Sequence, residues 1–445
     1  MLPYTLAVGF TLSSLTVAFP SPASLERTQV STPLLRSAVR AQHGASGHSR
    51  VKRQDATGLD NQNDGTSYTI DIEVGTPPQT ISVVLDTGSY ELWVNPTCKT
   101  STDPDFCESF PRYNSTESST FHKTGTETSL FYGKGNVTFE YVKDVVSIGS
   151  ASITDQVFGV ASKSYSNPTG LLGVGPPSQG DDGALYTYVL DNMVAQGQID
   201  SRAFSLDLRD IDSPDGSVIF GGVDTGKYIG SLEKRPMLDP DETSPRFDRY
   251  WVNLTSVGIT LPSGESELID DGEVPVFLDS GSTLSTLPTQ LFENIGAAFP
   301  GALRVDNYFF VDCSAWDLDG SIDFGFGDKV ISVSFNDFIW QSSTTGVCML
   351  GVIGSDGESV LGDSFLRAAY VVYDQDNRNI HLAQAANCGS NLIAISSGED
   401  AVPSVTGDCT AGPSPSVTGT LTVTQAPSAI TGSTGGTIAA AVSGP

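Results

Sequence analysis

Positive charge is scarce in this chain. Twenty-three Lys and Arg residues face 52 Asp and Glu, a formal net charge of −29 over 445 residues. Such a surface is repelled by nucleic acid and by anionic membranes, so neither is expected as a partner. It suits work in acid, where many carboxylates are protonated and their mutual repulsion falls. Histidine is scarcer still, with four residues. His43 and His48 lie in a basic leader, and neither His122 nor His381 stands near a nucleophile-elbow pattern, which disfavours a Ser-His-Asp hydrolase. There is no CxxC, no Cys/His cluster, no HExxH and no Gly-rich phosphate loop, so neither metal nor cofactor is expected. Beyond the first residues, no run is apolar enough to span a bilayer. Helical periodicity is also rare. Residues 184–196 and 288–299 carry it, and most of the remainder reads as short strands.

The chain begins with MLPYTLAVGFTLSSLTVAFP (1–20), an apolar stretch with small residues near its end that reads as a signal peptide. Residues 21–53 then hold Arg27, Arg36, Arg40, Arg50, Lys52 and Arg53 against Glu26 alone. A basic leader before an acidic body suggests a prosegment held electrostatically; a disordered linker is the alternative. Lys52-Arg53 is a site for a dibasic-specific processing protease and sets the mature start near Gln54. Six cysteines behind a signal peptide fit an oxidising compartment and secretion. Their pairing is left open by the sequence. Cys98–Cys107 would close a polar loop, Cys313–Cys348 would staple the second half, and Cys388–Cys409 would tie the start of the tail to the body. The sequons at Asn114, Asn136 and Asn253 become glycan candidates on a secretory route. Residues 396–445 read as a low-complexity tail: residues 401–445 hold 15 Ser/Thr, no aromatic residue and no charge beyond Asp408. That composition cannot build a core and suggests an extended, O-glycosylated stalk. Its apolar end echoes an anchor signal that would attach it to the cell surface.

Between leader and tail, the sequence says nearly the same thing twice. VVLDTGSYELWV (83–94) returns as VFLDSGSTLSTL (276–287), and GLLGV (170–174) as SVLGD (359–363). Asp86 precedes Gly173 by 87 positions, and Asp279 precedes Gly362 by 83. Two phrases in the same order at nearly the same spacing make an internal repeat of lobe size. The expected organisation is an N-terminal β lobe over 54–230 and a C-terminal β lobe over 231–395. Strands are expected at 68–74, 130–149, 218–220, 251–259, 276–278, 322–324, 330–333, 347–353 and 369–374.

One such motif makes an ordinary turn, in which Gly permits a tight bend after a buried strand. Two can bring Asp86 and Asp279 together. Two carboxyls about 3 Å apart cannot comfortably both ionise, so they share a proton and titrate as a pair. Such a dyad suits amide hydrolysis. The ionised member takes a proton from water, and the protonated member donates to the carbonyl oxygen. The cleft then needs a cover. Tyr132-Gly133-Lys134-Gly135 reads as a Gly-flexed hairpin tip bearing an aromatic hydroxyl, and Trp93 could donate its indole N–H to Tyr132.

With these motifs the sequence resembles the pepsin-like aspartic endopeptidases of the fungal secreted kind. The matching elements are Asp86-Thr-Gly-Ser89, Trp93, Tyr132-Gly-Lys-Gly135, Gly170-Leu-Leu-Gly173, Asp279-Ser-Gly-Ser282 and Val360-Leu-Gly362, which together span roughly residues 66–390. The resemblance implies a mainly β, bilobal fold with a cleft between duplicated lobes and a six-stranded backing. It implies catalytic roles for Asp86 and Asp279, with Ser89 and Ser282 hydrogen-bonding their carboxylates. Thr87 and Ser280 would interlock the two loops. Tyr132 becomes the flap tyrosine, and backbone groups at Gly133, Gly281 and Thr283 would hold a polypeptide substrate as an extended strand. Ser280 stands where Thr is commoner; it keeps the hydroxyl but loses a packing methyl, so a slightly looser interlock is expected. Lys134 at the flap tip either faces solvent or favours acidic groups in substrate. The expected function is an acid-active aspartic endopeptidase, monomeric and secreted. A catalytically inactive binding protein on the same fold is the alternative, but it should show a damaged motif. A polysaccharide-cleaving enzyme, which also uses two carboxylates, should offer aromatic sugar platforms.

Overall fold

Alternation in the sequence becomes strand in the computed structural model, which describes residues 35–42, 67–133, 135–177, 187–213, 215–239, 248–342 and 346–410. The expected signal peptide over 1–20, Lys52-Arg53, Lys134 and the chain from 411 onward lie outside the described residues. In strand Ser67–Val74 the apolar positions from Ile70 onward point inward while Asp71 and Glu73 face out. The next strand, Gln79–Asp86, is different: Val83, Val84, Leu85 and Asp86 are all buried. Its edges pair with Ser67–Val74 and Gly170–Gly173, and burial of four consecutive residues means that both of its faces are covered there, which requires a continuous apolar run. The helix Thr289–Ala298 matches its periodicity and buries Leu291, Phe292 and Ile295. Of the pattern over 184–196, whose first three residues lie outside the described residues, Val189–Ala195 is helix.

The described residues form one 13-stranded sheet, a five-stranded sheet, two four-stranded sheets and a two-stranded ribbon. The two repeated phrases are strand partners. Gln79–Asp86 runs parallel to Gly170–Gly173, with Asp86 opposite Gly173, and Leu92–Val94 closes antiparallel on the same strand. In the second half Val274–Leu278 runs parallel to Val360–Leu361, and Ser285–Leu287 closes antiparallel on it. Each half therefore turns a loop out of one strand and threads it beside a second strand. The glycines of the second phrases permit the close approach. A Cβ on Gly173 would lie 2.5 Å from the Glu91 nitrogen, and one on Gly362 would lie 2.3 Å from the Ser282 carbonyl oxygen.

Six strands drawn from both halves lie side by side in the large sheet: Tyr228–Pro236, Asn379–Ala385, Ala369–Asp374, Ala203–Asp207, Asp215–Phe220 and Leu35–Gln42. The expected lobe boundary at 230/231 thus falls within a strand, because Tyr228–Pro236 pairs with Asn379–Ala385 of the second half. Leu35–Gln42 belongs to the segment read as a basic leader, and its backbone is paired on both sides, with Asp215–Phe220 and Ser67–Val74.

Three further expectations need correcting. The run 251–259 is two strands, Trp251–Leu254 and Ser256–Thr260. Thr255 breaks it by donating both its N–H and its hydroxyl to the Gly325 carbonyl. The run 347–353 also splits, at Gly351, whose N–H turns to the Phe338 carbonyl at 2.6 Å. The ordered body does not stop at 395. Ile395, Ala401 and Val402 pack into a buried cluster with Tyr228 and Tyr370, and Cys409 bonds Cys388. Composition missed this segment because its few apolar residues are held by a disulfide and by a sheet formed elsewhere. Cys98–Cys107 and Cys313–Cys348 are the other two disulfides.

Asp144 ties the first half together from within. Its buried carboxylate accepts from the Tyr113 hydroxyl at 2.6 Å, the Thr120 hydroxyl at 2.5 Å and the Val145 N–H at 2.8 Å. Burial alone would raise its titration, but hydrogen bonds from Thr120, Tyr113 and Ser118 outweigh that and hold the carboxyl below its ordinary value. A depressed carboxyl adds stability above its unfolded-state pKa and loses it as pH falls through the folded value. Tyr113→Phe should therefore cost roughly 1.5–3 kcal/mol at pH 6. Asp144→Asn should lower the denaturation midpoint at pH 6, with the gap to the parent narrowing as pH falls below about 4, as read by denaturant titration across pH.

Candidate active site

Each strand of the repeat delivers one Asp at its end, and a short turn then folds back on the carboxyl. In the first half the Gly88 N–H donates to Asp86 Oδ1 at 2.8 Å, and the Ser89 hydroxyl donates to Asp86 Oδ2. In the second half the Gly281 N–H donates to Asp279 Oδ1 at 2.8 Å, and the Ser282 hydroxyl to Asp279 Oδ2 at 3.1 Å. The glycines of these turns also face across the repeat. A Cβ on Gly88 would lie 2.5 Å from the Asp279 carboxyl, and one on Gly281 would lie 2.6 Å from Asp86 Oδ1. Any side chain at either position would wedge the carboxyls apart. As it is, they meet within hydrogen-bonding reach.

Beneath them the loops are locked reciprocally. Thr87 donates its hydroxyl to the Leu278 carbonyl at 2.8 Å, and Ser280 donates its hydroxyl to the Leu85 carbonyl at 2.6 Å. Each hydroxyl also accepts the other residue's N–H: Ser280 N to Thr87 Oγ1 at 2.9 Å, Thr87 N to Ser280 Oγ at 3.2 Å. Both residues are buried. The four bonds are complete with serine, and the longest is the one that Ser280 accepts.

Asp86 is buried and Asp279 half-buried. Burial, followed by the charge of Asp279, pushes the Asp86 carboxyl well above the usual range; the Ser89 hydroxyl opposes this only in part. At mildly acid pH Asp86 therefore keeps a proton that an exposed carboxyl would lose. Tyr132 lies near enough to Asp86 to feel its charge. Its hydroxyl accepts the Trp93 indole N–H at 2.9 Å, and its N–H donates to the Gly135 carbonyl at 2.8 Å, closing the hairpin tip. Burial and then the Asp86 charge keep its phenol protonated. Gly133 and Gly281 are exposed and Thr283 half-buried. The three sequon asparagines stand on separate elements. Asn114 caps a short helical turn, Asn136 begins the strand after the hairpin tip, and Asn253 lies in strand Trp251–Leu254.

A second layer escaped sequence reasoning. Asp363 follows the repeated Gly362 directly and is 1% exposed. Burial drives its carboxyl well above the ordinary value; Arg367 partly counters this and the charge of Asp279 adds to it. Arg367 is buried too, donating to the Tyr68 hydroxyl at 3.1 Å and the Asp337 carbonyl at 2.9 Å. Tyr373 stacks on Phe204 at 4.7 Å and leans on Tyr250 at 4.5 Å. Tyr250 in turn donates to the Val174 carbonyl at 2.6 Å. The available signal was a charged pair four residues apart inside LGDSFLRAAYVV, an otherwise apolar stretch.

Comparison with known proteins agrees with this architecture. The family model for eukaryotic aspartyl proteases matches residues 67–385. The probable aspartic-type endopeptidase opsB of Aspergillus fumigatus is 32% identical over 413 residues, covering 87% of this chain and 81% of that one. Candidapepsin-1 of Candida albicans is 35% identical over 365 residues, covering 78% and 88%. Aspartic proteinase MKC7 of Saccharomyces cerevisiae is 32% identical over 424 residues, covering 78% and 70%. The crystal structure of the aspartic proteinase from Irpex lacteus superposes with a TM-score of 0.59 at 24% identity, covering 79% of this chain and 98% of that one, a likeness of fold.

Two measurements probe the site's physics. Ser280→Ala strands the Leu85 carbonyl and the Thr87 N–H in the interior, so denaturant titration should show a loss of roughly 2–4 kcal/mol. The second is pH dependence. A carboxyl whose folded pKa is raised binds more protons folded than unfolded, so stability falls as pH rises above the unfolded value. Asp86 and Asp207, the latter pushed up to about 7 by burial, both act in this direction. The thermal midpoint should drop between pH 4 and pH 7, and Asp86→Asn should remove on the order of 2 kcal/mol of that drop.

Proposed function

Since the chain belongs to the eukaryotic aspartyl protease family and is an acid-active aspartic-type endopeptidase, we propose that Asp86 and Asp279 are the carboxyls that carry out its chemistry. The observation that carries this reading is their shared environment: two matching turns hold the carboxyls beside each other, and burial together with the Asp279 charge raises the Asp86 carboxyl. The ionised member takes a proton from a water between them as the water oxygen bonds to the peptide carbonyl carbon. The protonated member gives its proton to the carbonyl oxygen, forming a neutral diol. A proton then passes to the amide nitrogen, the C–N bond breaks, and an amine and a carboxylic acid leave. No covalent bond to the protein forms at any step.

The remaining roles follow from the same geometry. Ser89 and Ser282 fix the outer carboxylate oxygens. Thr87 and Ser280 fix the loops. Tyr132 covers the dyad, and its link to Trp93 holds the hairpin tip over the cleft, where it can exclude water from the reacting bond. The backbones of Gly133, Gly281 and Thr283 offer donors and acceptors to an extended peptide, in the manner of an added strand. Similarity to the secreted aspartic protease 1 of Candida albicans supports a secreted location. Processing after Lys52-Arg53 would cut Leu35–Gln42 from the rest of the chain, and its backbone pairing would keep it in the sheet until another segment displaced it. The Ser/Thr-rich segment beyond Thr410 follows directly on the Cys388–Cys409 bond, and its composition supports a stalk that could tether the enzyme to the cell surface.

The test is cleavage of a diverse peptide pool at pH 3–6 by the parent, Asp86→Asn and Asp279→Asn. Each variant should lose at least about 10³-fold in kcat/KM, or about 4 kcal/mol of transition-state stabilisation, while keeping its fold by circular dichroism. A folded variant that cleaves at the parent rate would remove its aspartate from the mechanism.

A further inference from the structure

Phe131 is the most exposed large apolar side chain among the described residues, at 82%, and Tyr165 is 52% exposed. The two are not scattered. Phe131 stands directly opposite Asn136 in the ladder of strands His122–Phe131 and Asn136–Ile148. Asn136 stands directly opposite Tyr165 in the ladder with Ala151–Tyr165. Opposed residues of an antiparallel ladder share a face, with Cβ atoms about 4.5–5.5 Å apart. Phe131, Asn136 and Tyr165 therefore form one outward row, with the asparagine between two rings.

Asn136 opens the sequon Asn136-Val137-Thr138. Val137 is buried on the other face. Thr138 shares the outward face, where its hydroxyl lies 2.8 Å from that of Ser129. The other two sequons are built differently. The Asn114 side-chain amide donates to Glu117 at 2.8 Å, and that of Asn253 to Glu273 at 3.2 Å. Substituting either nitrogen replaces one of its donor hydrogens beside a carboxylate. Among the described residues the Asn136 amide makes no such bond.

We propose that Asn136 carries an N-linked glycan whose first N-acetylglucosamine packs on Phe131 and Tyr165, so that carbohydrate completes the outer face of the flap hairpin. One face of a pyranose ring is lined by C–H groups, and covering an aromatic ring with it removes apolar area from water on both partners. Two large rings exposed together call for a cover, and the row holds its own attachment atom. Attachment is an ordinary group transfer. The Asn136 amide nitrogen bonds to the anomeric carbon of a lipid diphosphate-linked oligosaccharide. The bond from that carbon to the diphosphate breaks, the diphosphate leaves with the electron pair, and the amide gives up one proton. The proposal is independent of the catalytic assignments. Tyr132, the next residue after Phe131, is tied to Trp93 instead. Its consequence for the enzyme is a hairpin stiffened from outside, at the base of the segment that covers the dyad.

The test uses the full chain secreted from a yeast host. Glycopeptide mass spectrometry should find Asn136 occupied. An endoglycosidase that leaves one N-acetylglucosamine should preserve the effect, because the first sugar makes the contact. That trimmed protein should melt about 2 °C above Asn136→Gln, and its N-acetyl methyl proton signal should be shifted upfield by the rings. In a Phe131→Ser/Tyr165→Ser background both the melting difference and the upfield shift should vanish. An unoccupied Asn136, or a melting difference that survives without the rings, would overturn the proposal. So would a rise in peptide KM for Phe131→Ser that is the same with and without the glycan, since the ring would then serve substrate.

Discussion

Two carboxyls of like charge do not stay side by side unless something stronger holds the chains that carry them. Here that constraint is met by four bonds of Thr87 and Ser280, two to each other and one each to the Leu278 and Leu85 carbonyls, all buried and all crossing from one half of the chain to the other. Water cannot substitute for them, because their partners are carbonyls and N–H groups that lie at the ends of buried strands. Separating the loops would leave those groups unpaired in an apolar interior, a cost of roughly 1–3 kcal/mol for each. That cost is what offsets the repulsion above.

The rest of the structure serves this lock. The parallel pairings of Gln79–Asp86 with Gly170–Gly173 and of Val274–Leu278 with Val360–Leu361 aim the two loops at each other. The shared six-strand region ties both halves into one sheet, so that neither loop can drift with its lobe. Ala369–Asp374 brings Tyr373 into the aromatic stack with Phe204 and Tyr250. Charge is arranged to suit acid. Asp86, Asp207 and Asp363 are all raised by burial and are therefore neutral when the medium is acid. Asp144 has the opposite sign, because three hydroxyls stabilise its ionised form. The fold is thus pulled from both ends of the pH scale: neutral conditions charge the buried acids, and strong acid discharges Asp144.

Much of this was legible in the sequence, for local reasons. Alternation at 68–74 and a continuous apolar run before Asp86 are direct imprints of a half-covered and a fully covered strand. Glycines after each Asp announced turns. Trp93 and Tyr132 could be paired on paper because the indole offers a donor and no acceptor. Where reading failed, a distant partner had changed a local outcome. The breaks at Thr255 and Gly351 are set by carbonyls of Gly325 and Phe338, which lie on other elements. Tyr228–Pro236 spans the expected lobe boundary because its partner strand lies some 150 residues later. Residues 396–410 looked too polar to fold, yet they need only cover a sheet already built. Asp363 and Arg367 lay in view, but nothing nearby in sequence showed that Tyr68 would complete their surroundings.

The sequence alone determined the chemistry available to this protein: two Asp-centred turns, duplicated with their supporting strands, and hydroxyls and glycines at fixed steps from each carboxyl. Those features are local, and a turn of a few residues needs little beyond its own backbone to form. Only the tertiary structure decided that the turns meet, that Ser280 makes the full set of bonds expected of a hydroxyl there, and that Asn136 stands between two rings. These are relations between segments that approach only when strands pair in register, and register is set by burial over the whole sheet rather than by any one stretch of chain.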